Sequence, residues 1–357
     1  MIFDPLTILT SDYKNGWGRD TCNPRLKFSQ EKVTLFSQGI SLGLNNLSTD
    51  VEVRNSIAYL AADGISAASP DFFIVDLENP ETPVIMSSLN TGPGISALEV
   101  AGHYVYTANL STTNQLQIID ISNRSAPALL TKYKLPLPQA SSSPPRATSI
   151  FYSKGLIYLG TEKWEGNEFS IIDVTVPALP RYVGGFKTNT LVNAIYVRDG
   201  FAYVATSDSG QMRVLDIYNP TNIILVATFS PSGWETQEGK SLSYFEGNLS
   251  LGRTTGGFNQ VKNHELFTFS TSSISTSPFI QVSRDIPGGV YGVISRPPFV
   301  YLATHSKSYE FQIMDVSLAT LIFEKSLSFS PTGMVCDNDT LYFATGDDKG
   351  IATLKIN

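Results

Sequence analysis

FAYVATSDSGQMRVLDIYNP, residues 201–220, holds two apolar runs either side of a short polar turn. Tyr203 centres the first run and Asp216 ends the second. Both are built from the aromatic and β-branched residues that strands favour. Neither alternates cleanly with polar residues, so both read as strands covered on two faces. Beyond them, Asp216 and Asn219-Pro220 supply turn chemistry, because Asp and Asn side chains bond nearby backbone N–H groups and Pro fixes φ. The figure recurs. IAYLA around Tyr59 goes with FFIVD ending at Asp76, and YVYTA at Tyr106 with LQIID at Asp120. LIYLG at Tyr158 goes with FSIID at Asp173, and FVYLAT at Tyr301 with FQIMD at Asp315.

Two weaker copies fill the gaps. NLSLGR at Ser250 precedes HELFTF, with Thr268 at the Asp position, and LYFAT at Tyr342 precedes IATLKI, with Lys355 there. The register positions are then 59, 106, 158, 203, 250, 301 and 342, at spacings of 47, 52, 45, 47, 51 and 41. Units of roughly 40–50 residues are the length of one four-stranded propeller blade. A first strand, such as Ala194–Val197, precedes the Tyr run through the turn at Asp199-Gly200, and a fourth, such as Ile224–Phe229, follows the Pro turn. The expectation is an all-β, seven-bladed β-propeller of four-stranded antiparallel blades. The repeated Tyr reads as core packing and the repeated Asp as a turn-former.

These units resemble the LVIVD repeat family of β-propellers. FFIVD, LQIID, FSIID, MRVLD and FQIMD are variants of its signature, followed by its S/N-P-x-x-P turn, and the resemblance covers about residues 47–356. It implies an exported or surface-exposed bacterial or archaeal protein. It brings no catalytic set, because none sits in the repeat motif.

The last unit lacks a fourth strand, and Lys32–Gln38 is a spare strand at the other end of the chain. Residues 32–40 are therefore expected to complete the last blade, residues 332–356, which would close the ring without exposed strand edges. The domain reading is an N-terminal arm over residues 1–31 and a single propeller over 32–357. The two cysteines, Cys22 and Cys336, both fall near this seam. They form either a staple across it or two free thiols; first and fourth strands lie at opposite radial positions, which opposes the bond.

Charged residues make up only 16% of the chain and the net charge is −7. A negative field without a basic cluster argues against nucleic acid as a partner. The polar, low-charge composition suits an extracellular or cell-surface protein, with an export signal or anchor expected ahead of Met1; a cytoplasmic protein is the alternative. No stretch has the length of a membrane-spanning helix.

Chemistry is sparse. His103, His264 and His305 occupy different parts of different units, so no metal set is expected, and no motif calls for a cofactor. Binding is expected in the loops that join blades and those that join second to third strands. Candidates there are Trp164, Trp234, Arg253, His305, Tyr309 and Arg146. The two Trp side chains either face one groove, as hot-spot or sugar-stacking residues, or pack their own loops. A Pro/Ser insertion over residues 136–146 is expected to project as an extended loop. The leading functional expectation is a non-enzymatic propeller that binds a protein or a glycan. A hydrolase or lyase with a site in the central funnel is one alternative, and a structural display module is another.

Overall fold

A computed structural model of the chain describes residues 14–15, 18–19, 21–22, 33–37, 39–43, 46–64, 68–138, 144–230, 237–255, 264–271 and 279–356. Seven antiparallel sheets follow one another along the chain and form a ring. The innermost strands are Ser48–Arg54, Ile95–Ala101, Ala147–Ser153, Val192–Arg198, Gly239–Phe245, Val290–Arg296 and Gly333–Asn338, in blades 1 to 7. Each lies beside the next, and the seventh lies beside the first. The Tyr runs are second and the Asp-ending runs third, as in blade 4, where Phe201–Thr206 pairs with Met212–Asp216.

Tyr59, Tyr106, Tyr158, Tyr203, Tyr301 and Tyr342 are all buried. They contribute to a core that lies between blades. Tyr196 and Tyr244, from adjacent innermost strands, stack with ring centres 5.4 Å apart. The fourth strands of blades 1 and 2, Val84–Leu89 and Ala128–Tyr133, alternate exposed and half-buried residues, because only one of their faces meets a neighbour. In the hairpin at Asp199-Gly200 both residues have positive φ, +49° and +77°, the backbone that matches the twist of the flanking strands.

The repeated Asp does the turn work expected of it. The side chains of Asp76, Asp120, Asp173 and Asp216 each accept the backbone N–H two residues on. The hydroxyls of Ser122 and Thr175, together with these N–H groups, hold the Asp120 and Asp173 carboxyls below the usual carboxylate range. One register is corrected. Asn248 pairs with Ser270, as Phe201 pairs with Asp216, so Ser270 and not Thr268 occupies the Asp position of blade 5.

Val33–Ser37 pairs antiparallel with Ile351–Ile356 as the outer strand of blade 7. The segment before it has a place of its own. Lys14–Asn15 and Gly18–Arg19 form a short hairpin, with Asn15 paired to Ser243 of blade 5. Gly18–Arg19 also lies against the innermost strands of blades 1, 2 and 7, so the arm sits in the axis of the ring. Thr21–Cys22 then runs parallel to Asp337–Asn338 at the end of the innermost strand of blade 7. Cys336 is disulfide-bonded, and the sequence holds one other cysteine, Cys22. The arm thus returns to the innermost strand before it reaches the rim, which removes the radial objection to a bond at this seam.

Candidate functional site: a funnel at the head of the innermost strands

Six of the innermost strands carry the same irregularity. The register slips at their second residue, at Thr49, Ser96, Thr148, Asn193, Lys240 and Tyr291. A bulged residue leaves the ladder and its side chain is re-aimed. Thr332 takes the same place in blade 7, immediately before Gly333, which pairs with Ala344 as Gly292 pairs with Ala303 in blade 6. Each blade therefore offers one half-buried side chain at one level. Together with Asp50, Ala97, Leu191 and His305 they line a cavity of about 370 Å3 on the axis.

Most of this ring is tied into blade-to-blade bonds. Thr49 Oγ1 donates to the Ile95 carbonyl, Ser96 Oγ to Ala147, Thr148 Oγ1 to Val192, Asn193 Nδ2 to Gly239 and Thr332 Oγ1 to Ser48. Each accepting carbonyl belongs to the first residue of the next blade's innermost strand or its equivalent. Lys240 and Tyr291 break the pattern. Ser241 Oγ serves the Val290 carbonyl in place of Lys240, and His305 Nε2 serves Pro331 in place of Tyr291.

These two residues hold the distinctive chemistry. Lys240 Nζ donates to Asn193 Oδ1 at 3.1 Å and lies 5.7 Å from the centre of the Tyr291 ring. Burial pushes its pKa down, against the pull of Glu238. Glu238 accepts a hydrogen bond from Ser207 Oγ. His305 stacks on Tyr291 with ring centres 3.5 Å apart and planes 9° from parallel. Burial and the nearby ammonium push the imidazole pKa down, so the ring is neutral near pH 7. With Nε2 donating to the Pro331 carbonyl, Nδ1 is the acceptor. Asp50 is held by the Val51 and Leu98 backbone N–H groups.

The candidates from sequence fare differently. His305 lies in the funnel. Tyr309 is exposed on its loop and Arg146 is ion-paired with Glu162 at 2.8 Å, both outside the funnel lining. Trp164 is half-buried; its Nε1 donates to the Asn167 carbonyl and its ring covers Gly166, so it packs its own loop. Trp234 and residues 139–143 of the 136–146 insertion lie outside the described residues. Arg253 is no surface residue: it is fully buried, bonded to the His264 carbonyl and lying over the Phe267 ring. Burial pushes its pKa down to about 10.

A second repeated polar group accounts for most of the buried acids. Asp71, Gln115, Glu168, Gln211, Glu265 and Glu310 immediately precede the third strands, and all are buried. Asp71 accepts the Thr91 N–H, Gln115 that of Leu135, Glu168 those of Thr188 and Asn189, Glu265 that of Ile286 and Glu310 that of Leu327. These five tie the exits of blades 1, 2, 3, 5 and 6 to their own third strands. The sequence carries the signal, an Asp, Glu or Gln five residues before the repeated Asp position.

A ring of seven four-stranded blades, six of which share the bulge and the buried polar residue ahead of the third strand, is a β-propeller. The LVIVD repeat matches residues 95–134 and 192–230, in blades 2 and 4. Among curated protein sequences none matches the chain. Among solved structures it is similar to BamB from Moraxella catarrhalis, at 14% identity and TM-score 0.52 over 92% of this chain and 97% of that one. It is similar to the periplasmic gluconolactonase PpgL of Pseudomonas aeruginosa, at 12% identity and TM-score 0.61 over 77% and 84%. It is also similar to a catalytically inactive virginiamycin B lyase from Staphylococcus aureus with quinupristin, at 15% identity and TM-score 0.61 over 91% and 100%. At such identities the likeness establishes the fold, and the fold hosts both enzymes and other proteins.

Proposed function

We infer that this protein is an exported, non-enzymatic propeller whose upper face, where the innermost strands begin, binds a glycan in the axial funnel. One observation carries the reading: all seven blades converge hydrogen-bonding side chains on a single cavity of about 370 Å3. That volume falls within the range of small-molecule sites, roughly 300–1,000 Å3. Below it the axis is occupied by the hairpin of the arm, so the funnel reads as a blind recess. Several of the buried carboxylates that could supply acid–base pairs are engaged by backbone N–H groups instead. Export is supported by the low charge and by a disulfide-bonded Cys336, since disulfides persist in oxidising compartments.

A glycan array tests the reading. Retention is expected for wild-type protein and is expected to be lost in Leu191→Trp, which places a bulky ring at the funnel wall. A protein that retains no saccharide at high density counts against glycan binding. Cleavage of a retained saccharide would move the reading to the hydrolase or lyase alternative.

A further inference from the structure

We propose that the funnel is selective for an acidic saccharide, one whose carboxylate is received by Lys240 while its hydroxyl groups bond to the surrounding ring. The inference rests on the glycan-binding reading above and narrows it.

The direction of the hydrogen bonds sets the polarity of the funnel. Thr49, Ser96, Thr148 and Thr332 have committed their hydroxyl protons to carbonyls of the next blade. Each hydroxyl has a single proton and two lone pairs, so toward a ligand these groups are acceptors. Asn193 is similarly committed, with Nδ2 donating to Gly239 and Ser207 and Oδ1 occupied by Lys240. His305 adds a further acceptor at Nδ1. The funnel is therefore rich in acceptors and asks for a ligand with many O–H donors.

One group reverses that polarity. Lys240 is the cation among the residues that line the cavity. Its ammonium has three donors, of which one is bonded to Asn193. Among the described residues no carboxylate lies within ion-pair distance of it. Glu238 is near enough to act electrostatically and is bonded to Ser207, and Asp50 is satisfied by two backbone N–H groups. A half-buried ammonium with spare donors is well matched to a carboxylate, because charge-assisted hydrogen bonds are stronger than neutral ones.

The departure from the repeat points the same way. At five of the seven ring positions the side chain bonds the next blade. At the other two the duty passes to Ser241 and His305, which leaves Lys240 and the Tyr291 ring for another task. A peptide carboxylate would bring an anion but few hydroxyl donors, and a neutral sugar would bring hydroxyls but no anion. A uronic-acid unit carries both.

The experiment uses the full chain and calorimetric titration with di- to tetragalacturonate, set against the same oligomers as methyl esters and against poly-glutamate. Wild-type protein is expected to bind the acids about tenfold or more tightly than the esters, the worth of one charge-assisted hydrogen bond. Lys240→Gln is expected to erase that preference. Lys240→Arg is expected to keep part of it, and Lys307→Gln, on an exposed loop, to leave it unchanged. Melting temperatures of the variants establish that they are folded. Equal affinity for acids and esters, or a Lys240→Gln variant that binds like wild type, overturns the proposal. Poly-glutamate bound in preference to the uronates overturns the saccharide assignment. Neutral sugars bound on the array with no role for Lys240 would sink this inference and leave the glycan-binding reading standing.

Discussion

Lys240 and Tyr291 occupy the same bulge position in adjacent blades, and the ammonium of one lies 5.7 Å from the ring centre of the other. In the other five blades that position holds Thr, Ser or Asn, which secure the ring. A protein that needed only closure would gain from a short hydroxyl at residue 240. The Lys instead brings a desolvated charge, which costs stability. Lys240→Met is therefore expected to melt no lower than wild type at pH 7 while losing acidic ligands, the trade-off common at binding sites.

The pH dependence of that comparison has a fixed sign. Burial lowers the Lys240 pKa, so between the folded and unfolded values the unfolded chain binds more protons. Wild-type stability then rises with pH across that window relative to Lys240→Met. Paired thermal scans from pH 7 to pH 10, above the range in which His305 takes up a proton, check it. A gap that widens in favour of Met as pH rises contradicts the burial account.

Glu168 makes the cleanest test of the repeated cap. One of its carboxylate oxygens accepts the N–H groups of both Thr188 and Asn189, at 2.8 and 3.0 Å. Glu168→Ala leaves two backbone donors without this acceptor, and an unsatisfied buried donor costs about 1–3 kcal/mol. Glu168→Gln keeps an acceptor oxygen, as Gln115 shows in blade 2, and should lose less. Denaturant titration separates the two. Equal losses would mean that charge, not acceptance, is what matters.

The sequence disclosed what repeats through local chemistry and concealed what depends on register. The Tyr runs and the Asp turns are legible because core packing and Asx turns act within a few residues. The cap is equally visible, five residues before the Asp position in six of the seven repeats, but its partner lies about twenty residues downstream across the blade exit, where no local pattern points. The bulge ring is hidden more deeply. Thr49, Ser96, Thr148, Asn193, Lys240, Tyr291 and Thr332 share no residue type, and only strand pairing brings them to one level. Arg253 misled because a charge in a weak repeat suggests a loop. Register places it opposite Gly239, as Thr161 is opposite Ala147 and Thr206 opposite Val192, at a strand end that is buried in each. For Trp164 the sequence left two readings open, a groove-facing ring or one packed on its own loop, and Gly166 gives the ring its place to pack.

Glu265 and Arg253 predict a stability slope of the opposite sign to that of Lys240. Burial raises the Glu265 pKa to about 8, despite the Ile286 N–H and the Arg253 charge, which favour the anion. The folded state then holds a proton that the unfolded state releases near the ordinary carboxylate value, about 4.3. Stability from this group is fully present below the unfolded pKa and is lost as pH rises through the folded one. Glu265→Gln should flatten that part of the profile and gain on wild type between pH 5 and pH 8. Chemical denaturation at several pH values reads it directly. A wild-type profile that rises across the same range, with no change in Glu265→Gln, would falsify the protonated state.

Val33–Ser37 gives blade 7 its outer strand, and Thr21–Cys22 lies beside its innermost strand, so one short stretch of chain grips both edges of that blade. A bond between Cys336 and Cys22 would close a loop of about 300 residues. In the chain-entropy account closing so long a loop removes much freedom from the unfolded state, and losing a native disulfide commonly costs about 2–5 kcal/mol. Denatured, non-reduced protein is expected to show no free thiol. Cys22→Ser should lower the melting temperature and release Cys336 to alkylation without unfolding the ring, because the blade interfaces remain. Deleting residues 1–38 removes the outer strand as well; it exposes the edge of Ile351–Ile356 and should give oligomers or unfolding. Two thiols in the untreated protein, or a monomeric deletion variant with an unchanged melting temperature, would count against this closure.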